Sequence, residues 1–163
     1  MDSNKLIHNK DYIDLKGRLL AVDPGDKRIG LAISDPAQIS ANPLVIIKHI
    51  SREVDAAKIL QIARLNQVVK IIIGQSMDPF GEPSLQGRKA RRLAENIQSQ
   101  SEITVELWDE NESSQKAQQL LIELHVPRKK RKAPHDDLAA MMILQEYLDY
   151  QVTKIHQQNN VNL

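Results

Sequence analysis

The chain has 163 residues, 41% hydrophobic and 26% charged, with a net charge of +1. That is the size and balance of one ordinary folded domain, neither disordered nor fibrous. Aromatic residues make up 3% and cysteine is absent, which excludes disulfides, thiol nucleophiles and cysteine zinc sites and leaves oxygen or imidazole to hold any metal. No run approaches the roughly 20 apolar residues of a membrane span, and the polar start MDSNKLIHNKDYIDLK does not read as a secretory signal. A cytoplasmic protein is expected.

Residues 1–17 show no sustained period and read as an N-terminal extension. Residues 19–22 (LLAV) form a short apolar run that ends at Asp23-Pro24-Gly25, a buried strand entering a turn. Residues 29–33 read as its hairpin partner and 44–47 as a third strand. Residues 55–65 place Ala56, Ile59, Leu60 and Ala63 at helical spacing. A β-branched run at 68–73 stops at Gly74, a loop at 75–84 follows, and a basic helix is expected over 85–99. Residues 103–108 alternate as a strand up to Asp109-Glu110. Helices at 113–124 and 136–150 close the domain, and the polar stretch 151–163 reads as a C-terminal tail. The domain thus spans 18–150. Its first three strands are joined tightly enough to run antiparallel, and its later ones are separated by helices, which implies parallel crossovers. The expected fold is α/β, a mixed five-stranded sheet flanked by helices.

Two acidic positions stand where apolar strands end: Asp23 after LLAV and Asp109-Glu110 after ITVELW. The carboxyl ends of parallel strands line the ligand crevice of open α/β sheets. A carboxylate so close to a core is costly unless it is paired, hydrogen-bonded or bound to a cation. Asp23 before Pro-Gly also makes a good turn initiator, but two such positions at one sheet end favour a cation site. A third acidic position opens the last helix at Asp136-Asp137, where a carboxylate also caps free amides. Helical phase puts Gln145, Glu146 and Asp149 on the solvent side. It sets Asp136 beside Ala140, Ile143 and Tyr147 and Asp137 toward Met141 and Leu148, favouring Asp136 only slightly. Ala139-Ala140 lets this helix approach the sheet closely. Convergent carboxylates without cysteine suit Mg²⁺ or Mn²⁺, and two such ions about 3.5–4 Å apart serve phosphodiester hydrolysis.

The basic residues cluster as that substrate requires. Arg88, Arg91 and Arg92 recur on adjacent turns of one helix, and Arg128, Lys129, Lys130, Arg131 and Lys132 form a loop leading into the acidic helix. Either cluster alone reads equally as solvated surface; together with the acids they suit a nucleic-acid backbone. Gly25 and Gly30 make no dinucleotide fingerprint, Gly74, Gly81 and Gly87 lack the lysine of a phosphate loop, and the histidines lack metalloprotease spacing. Trp108 reads as core rather than as a base-stacking platform.

Four blocks taken together resemble a known family. LLAVDPGDKRIGLAISD, IIIGQSMDPFGEPSLQGRKARRLA, VELWDENESSQKA and HDDLAAMMILQEYL occur in the order and spacing of the YqgF/RuvX family, the Holliday junction resolvase-like nucleases of precursor 16S rRNA. The resemblance runs from about residue 18 to 150. It implies a ribonuclease H-like fold, a cytoplasmic location and a metal-dependent role in maturing the 5′ end of precursor small-subunit rRNA. It places the family's acidic positions on Asp23, on Asp109 and Glu110, and on Asp136 rather than Asp137, and its anion-handling arginine on Arg28. The chain departs where the family arginine after Asp-Glu is Asn111 and the following threonine is Ser114, and Gly74-Gln75-Ser76 replaces Gly-Leu-Pro. Asn111 removes a cation that would hold a phosphate or orient Glu110. Structured nucleic acid is the expected partner, precursor rRNA ahead of a DNA junction, with ribosomal particles as a further setting and a monomer or homodimer as the assembly. The rival readings are a DNA junction resolvase, which needs two active sites and so a dimer, and a non-catalytic ribosome-assembly factor. An actin-like ATPase is disfavoured, since that architecture generally needs two domains and more than about 300 residues.

Overall fold

The computed structural model of the chain describes residues 16–109, 123–125 and 136–161, with the backbone alone at 136 and 137. Five strands form one mixed sheet: β1 (Arg18–Pro24), β2 (Arg28–Ser34), β3 (Ala41–Lys48), β4 (Val68–Gln75) and β5 (Thr104–Asp109). Their order across the sheet is β3-β2-β1-β4-β5. The β1–β2 and β2–β3 pairs are antiparallel, while β1–β4 and β4–β5 are parallel. This is the expected architecture. The three-residue step from Gly25 to Lys27 permits only a hairpin, whereas the parallel pairs each need a helical crossover. Pro43 sits in β3, an edge strand where its missing amide costs least, and the β2–β3 register shifts beside it.

Strand alternation divides the core between two faces. Leu20, Val22, Ile71 and Ile73 face α1 (Arg52–Leu65) and α2 (Leu85–Gln100). Leu19, Ala21, Ala32 and Ile72 face the long α3 (Asp136–Val161), which packs through Ala140, Ile143, Leu144, Tyr147 and Leu148. Ala140 is fully buried against alanines of β1 and β2, so small residues on both sides let α3 approach, as the sequence indicates.

Element ends differ from expectation in two places. Helix α1 begins three residues earlier than apolar spacing shows, because Ser51 caps it by accepting from the Val54 amide, 3.2 Å. Helix α3 continues past Tyr150 to Val161. Its added residues include good helix formers and neither Gly nor Pro, and the Thr153 hydroxyl donates back to the Asp149 carbonyl, 3.1 Å. Gln145 is not simply solvent-facing: its amide oxygen accepts from the Ala41 amide, 3.1 Å, and so ties α3 to the edge strand. The helix expected at 113–124 lies outside the described residues except for its last two positions. No described helix is long and apolar enough to cross a membrane.

A candidate active site at the carboxyl end of the sheet

Asp23 ends the apolar part of β1, the central strand, and is half-buried. Alternation from Leu19 and Ala21 directs it to the α3 face. Gly30 of β2 lies directly opposite it, and the register Val22–Ile73 brings Gly74 of β4 into the next row on its other side. Neither adjacent strand therefore puts a side chain beside this carboxylate. Beyond Gly74 in the same row comes Trp108 of β5.

The direction of α3 brings its first turn to the same end. Gln145 bonds Ala41, which pairs with Ser34, whose hydroxyl accepts from the Leu19 amide, 2.9 Å. That row is the beginning of β1. Further along α3, Gln151 and Ile155 line a groove with Lys16, Val69 and Thr104, again at the strand beginnings. The helix thus runs antiparallel to β1. From Gln145 back to Asp136 the helix rises about 13.5 Å, and from Leu19 to Asp23 the strand rises about 13 Å, so a helix lying along the strand opens level with Asp23.

The other expected carboxylates fare differently. Asp109 ends β5 and is exposed. The register sets it level with Gln75 on the α1/α2 face, opposite Asp23, because Val105 and Leu107 pack on that side. Glu110 lies outside the described residues, and of Asp136 only the backbone is described. Among the described residues no three acidic or imidazole side chains cluster as a metal cage.

The cations are distributed over both layers. Arg28 opens β2 at the Asp23 end and by alternation shares its face. Arg88, Arg91 and Arg92 are exposed on the first turns of α2, on the other side of the sheet. Those turns nevertheless reach the β1–β2 turn, since the Lys89 Nζ donates to Asp26, 2.7 Å. The ammonium beside it holds Asp26 below the usual carboxylate range. The loop Arg128 to Lys132 lies outside the described residues.

Several features had no sequence signal of their own. The two glycines that flank Asp23 come together only through strand register. His49, exposed to about 40% at its side chain, donates from or accepts at Nδ1 against the buried Asp55, 2.5 Å. Asp55 also accepts from the Ile50 amide, 3.0 Å. Ser51 with the acids Glu53 and Asp55 in the first turn is a helix-start signal, but it does not mark Asp55 as the partner of His49. Trp108, by contrast, packs as expected, edge-on to Tyr147 with ring centres 5.2 Å apart and tilted to Tyr150 at 5.4 Å.

Comparisons with known proteins identify the family and the fold. The sequence profile of the RuvX family, described as Holliday junction resolvase, matches residues 17–150. A protein of Clostridioides difficile (strain 630) named "Putative pre-16S rRNA nuclease" is 38% identical, over 85% of this chain and 98% of its own length. One of the same name from Thermoanaerobacter pseudethanolicus is 41% identical, over 84% of this chain and 99% of its own. Among solved structures, RuvC of T. thermophilus in complex with a Holliday junction substrate superimposes with a TM-score of 0.53 at 13% identity, covering 83% of this chain and 95% of that one. The large terminase nuclease of the thermophilic phage G20c gives 0.50 at 12% identity, covering 78% and 80%. At such identity the likeness is one of fold, and it is the ribonuclease H-like fold.

Proposed function

This chain belongs to the RuvX family, and from that premise we propose that it is a metal-dependent endonuclease that hydrolyses phosphodiester bonds in precursor 16S rRNA. The observation that carries the proposal is the placement of Asp23. Its half-buried carboxylate ends the central strand between two glycines, at the end of the sheet where α3 begins. The names of the relatives, which concern precursor 16S rRNA, favour that substrate.

Asp23, Glu110 and Asp136 would hold Mg²⁺ or Mn²⁺, with Asp109 at the same end of the sheet but on its other face. The fit rests on donor chemistry and room: the ligands are hard oxygens, and the strands beside Asp23 contribute glycines in its row. When bound, such an ion supplies Lewis acidity toward the phosphoryl group and an activated water. In the hydrolysis a water oxygen bonds to phosphorus, one phosphorus–oxygen ester bond breaks, and a proton passes to the departing oxygen. The protein's own share is to bind and orient. Arg28 faces the Asp23 side of the sheet, where a guanidinium meets a phosphate in fork geometry. Arg88, Arg91 and Arg92, with Arg128, Lys129, Lys130, Arg131 and Lys132, would guide the flanking backbone without reading sequence. Ribosomal precursor particles in the cytoplasm are the corresponding setting, and one copy of the chain suffices for a single cut.

A second reading, resolution of a four-way DNA junction, is favoured by the family's description and by the fold shared with RuvC. It requires two sites and hence a homodimer. The experiment compares cleavage of precursor 16S rRNA and of a four-way DNA junction with Mg²⁺ or Mn²⁺. The expected result is metal-dependent cutting of the RNA, with Asp23→Asn, Glu110→Gln and Asp136→Asn each folded and nearly inactive. Cutting of the junction alone would transfer the assignment to DNA. Binding of RNA without cutting would make the chain an assembly factor, the role for which Asn111 is the best argument.

A further inference from the structure

Behind the β1–β2 turn, on the α1/α2 side of the sheet, lies a cavity of about 250 Å³. Its walls are mainly apolar, formed by Pro24, Ile29 and Leu93, and its mouth carries Arg52, Lys89 and Arg92. His49, Asp55, Gly25, Gln86 and the carboxylate of Asp26 complete it. Arg92 is among the cations expected to guide nucleic acid, but none of this set lies on the Asp23 face, and alternation separates the two sites by the thickness of the sheet.

Each charged group at the mouth is held differently. Lys89 is tied to Asp26, so it closes the β1–β2 turn onto α2 as much as it offers charge. Among the described residues no ion pair engages Arg52 or Arg92. Asp55 is 3% exposed and spends both carboxylate oxygens on His49 Nδ1 and the Ile50 amide. The buried acid therefore fixes the imidazole plane and leaves Nε2 as the ring atom available to a ligand. Gly25 is required here for close approach: a Cβ would come within 2.4 Å of the Arg28 carbonyl oxygen, so the turn forming one rim cannot carry a side chain without shifting.

Apolar walls with a cationic mouth match a group that is flat and apolar at one end and anionic at the other. The volume is smaller than a whole nucleotide, so it takes the base and leaves the phosphate at the open mouth, and it excludes a duplex. We infer that this cavity binds a single nucleotide, its phosphate held by Arg52, Arg92 and His49 and its base lying against Pro24, Ile29 and Leu93. That nucleotide is either the phosphorylated end of a strand or a free nucleoside monophosphate. The site does not depend on the chain cutting nucleic acid.

The test is titration of the full-length protein with AMP and with inorganic phosphate, followed by amide NMR in the presence of EDTA so that no divalent ion takes part. AMP is expected to shift the amides of Gly25, His49 and Arg52. The exposed pair Arg52→Gln and Arg92→Gln should together weaken AMP by about tenfold or more, while Arg64→Gln, at the far end of α1, should not. Oligoribonucleotides with a 5′-phosphate and with a 5′-hydroxyl separate the sources. A preference for the phosphorylated end assigns the site to a strand terminus, and binding of AMP without it assigns a free nucleotide. Shifts confined to other residues, unchanged affinity in the arginine double variant, or absence of binding would overturn the inference. Equal affinity for phosphate and AMP would overturn the role of the apolar wall. Because cleavage is not read, these outcomes stand apart from the fate of the nuclease assignment.

Discussion

At Asp35, four residues of loop are organised by one carboxylate. One oxygen accepts from the amides of Ile39, 2.7 Å, and Ser40, 2.8 Å. Burial by itself would raise the Asp35 pKa, and these amides more than reverse it, so the folded value lies below the ordinary one. Such a group stabilises above the unfolded carboxylate range and loses that contribution as pH falls through its lower folded value. Asp35→Ala should therefore cost about 1 kcal/mol near neutrality and show a shallower loss below about pH 4, read from urea midpoints against pH. Gly87 presents a steric case instead. A Cβ there would stand 2.2 Å from the Ser76 carbonyl oxygen, so Gly87→Ala should destabilise by about 1–3 kcal/mol, measurable by thermal unfolding. Asp109 and Asp23 make a paired comparison. Since the register puts them on opposite faces, Asp109→Asn should keep clearly more nuclease activity than Asp23→Asn in the same assay.

At the scale of elements, α3 is latched to the two parallel strands furthest from its own footing. Lys70 of β4 meets Glu106 of β5 at 2.6 Å and donates to the Tyr147 hydroxyl at 2.8 Å, while that hydroxyl donates to Glu106 at 2.8 Å. Burial opposes the charge on Lys70 and Glu106, yet their mutual contact and Tyr147 outweigh it, raising the lysine and lowering the glutamate. Burial, foremost, raises the tyrosine as well. The lysine's contribution is complete below its unfolded pKa and is lost as pH rises through the higher folded value; the glutamate's is lost as pH falls through its lowered one. Tyr147→Phe keeps the ring packing on Trp108 and removes only the bridge. We expect a loss of about 1 kcal/mol at neutral pH that shrinks as pH rises, because the contribution it removes is itself lost there, seen by circular dichroism between neutral and alkaline pH. Unchanged stability at neutral pH would show that packing alone holds α3. The elements themselves were largely legible, because 2- and 3.6-residue periods mark them. Their ends were not, because Ser51 capping and the extension of α3 depend on single hydrogen bonds that leave no period.

At the scale of the molecule, the sheet gathers carboxylates on one rim and spreads cations over two layers. If both clusters guide one strand, neutralising Lys129, Lys130 and Arg131 and neutralising Arg88, Arg91 and Arg92 should each weaken RNA binding and flatten its dependence on salt. Filter binding over a salt series measures this, and an unchanged slope would return that cluster to ordinary surface. The primary sequence by itself determined the element types, the α/β class and the prominence of Asp23, since each is written in local periodicity or in a strand-ending residue. It also carried the family likeness, because four motifs kept their order and spacing. Only the tertiary structure decided that Gly30 and Gly74 flank Asp23, that Asp109 faces the other way, and that His49, Arg52 and Arg92 share a cavity. The physical reason is register: which residues of β2, β4 and β5 stand beside Asp23 follows from hydrogen-bonded pairing between strands distant in the chain, and a slip of one residue would exchange the faces. The sequence named the carboxylate, and the sheet decided what surrounds it.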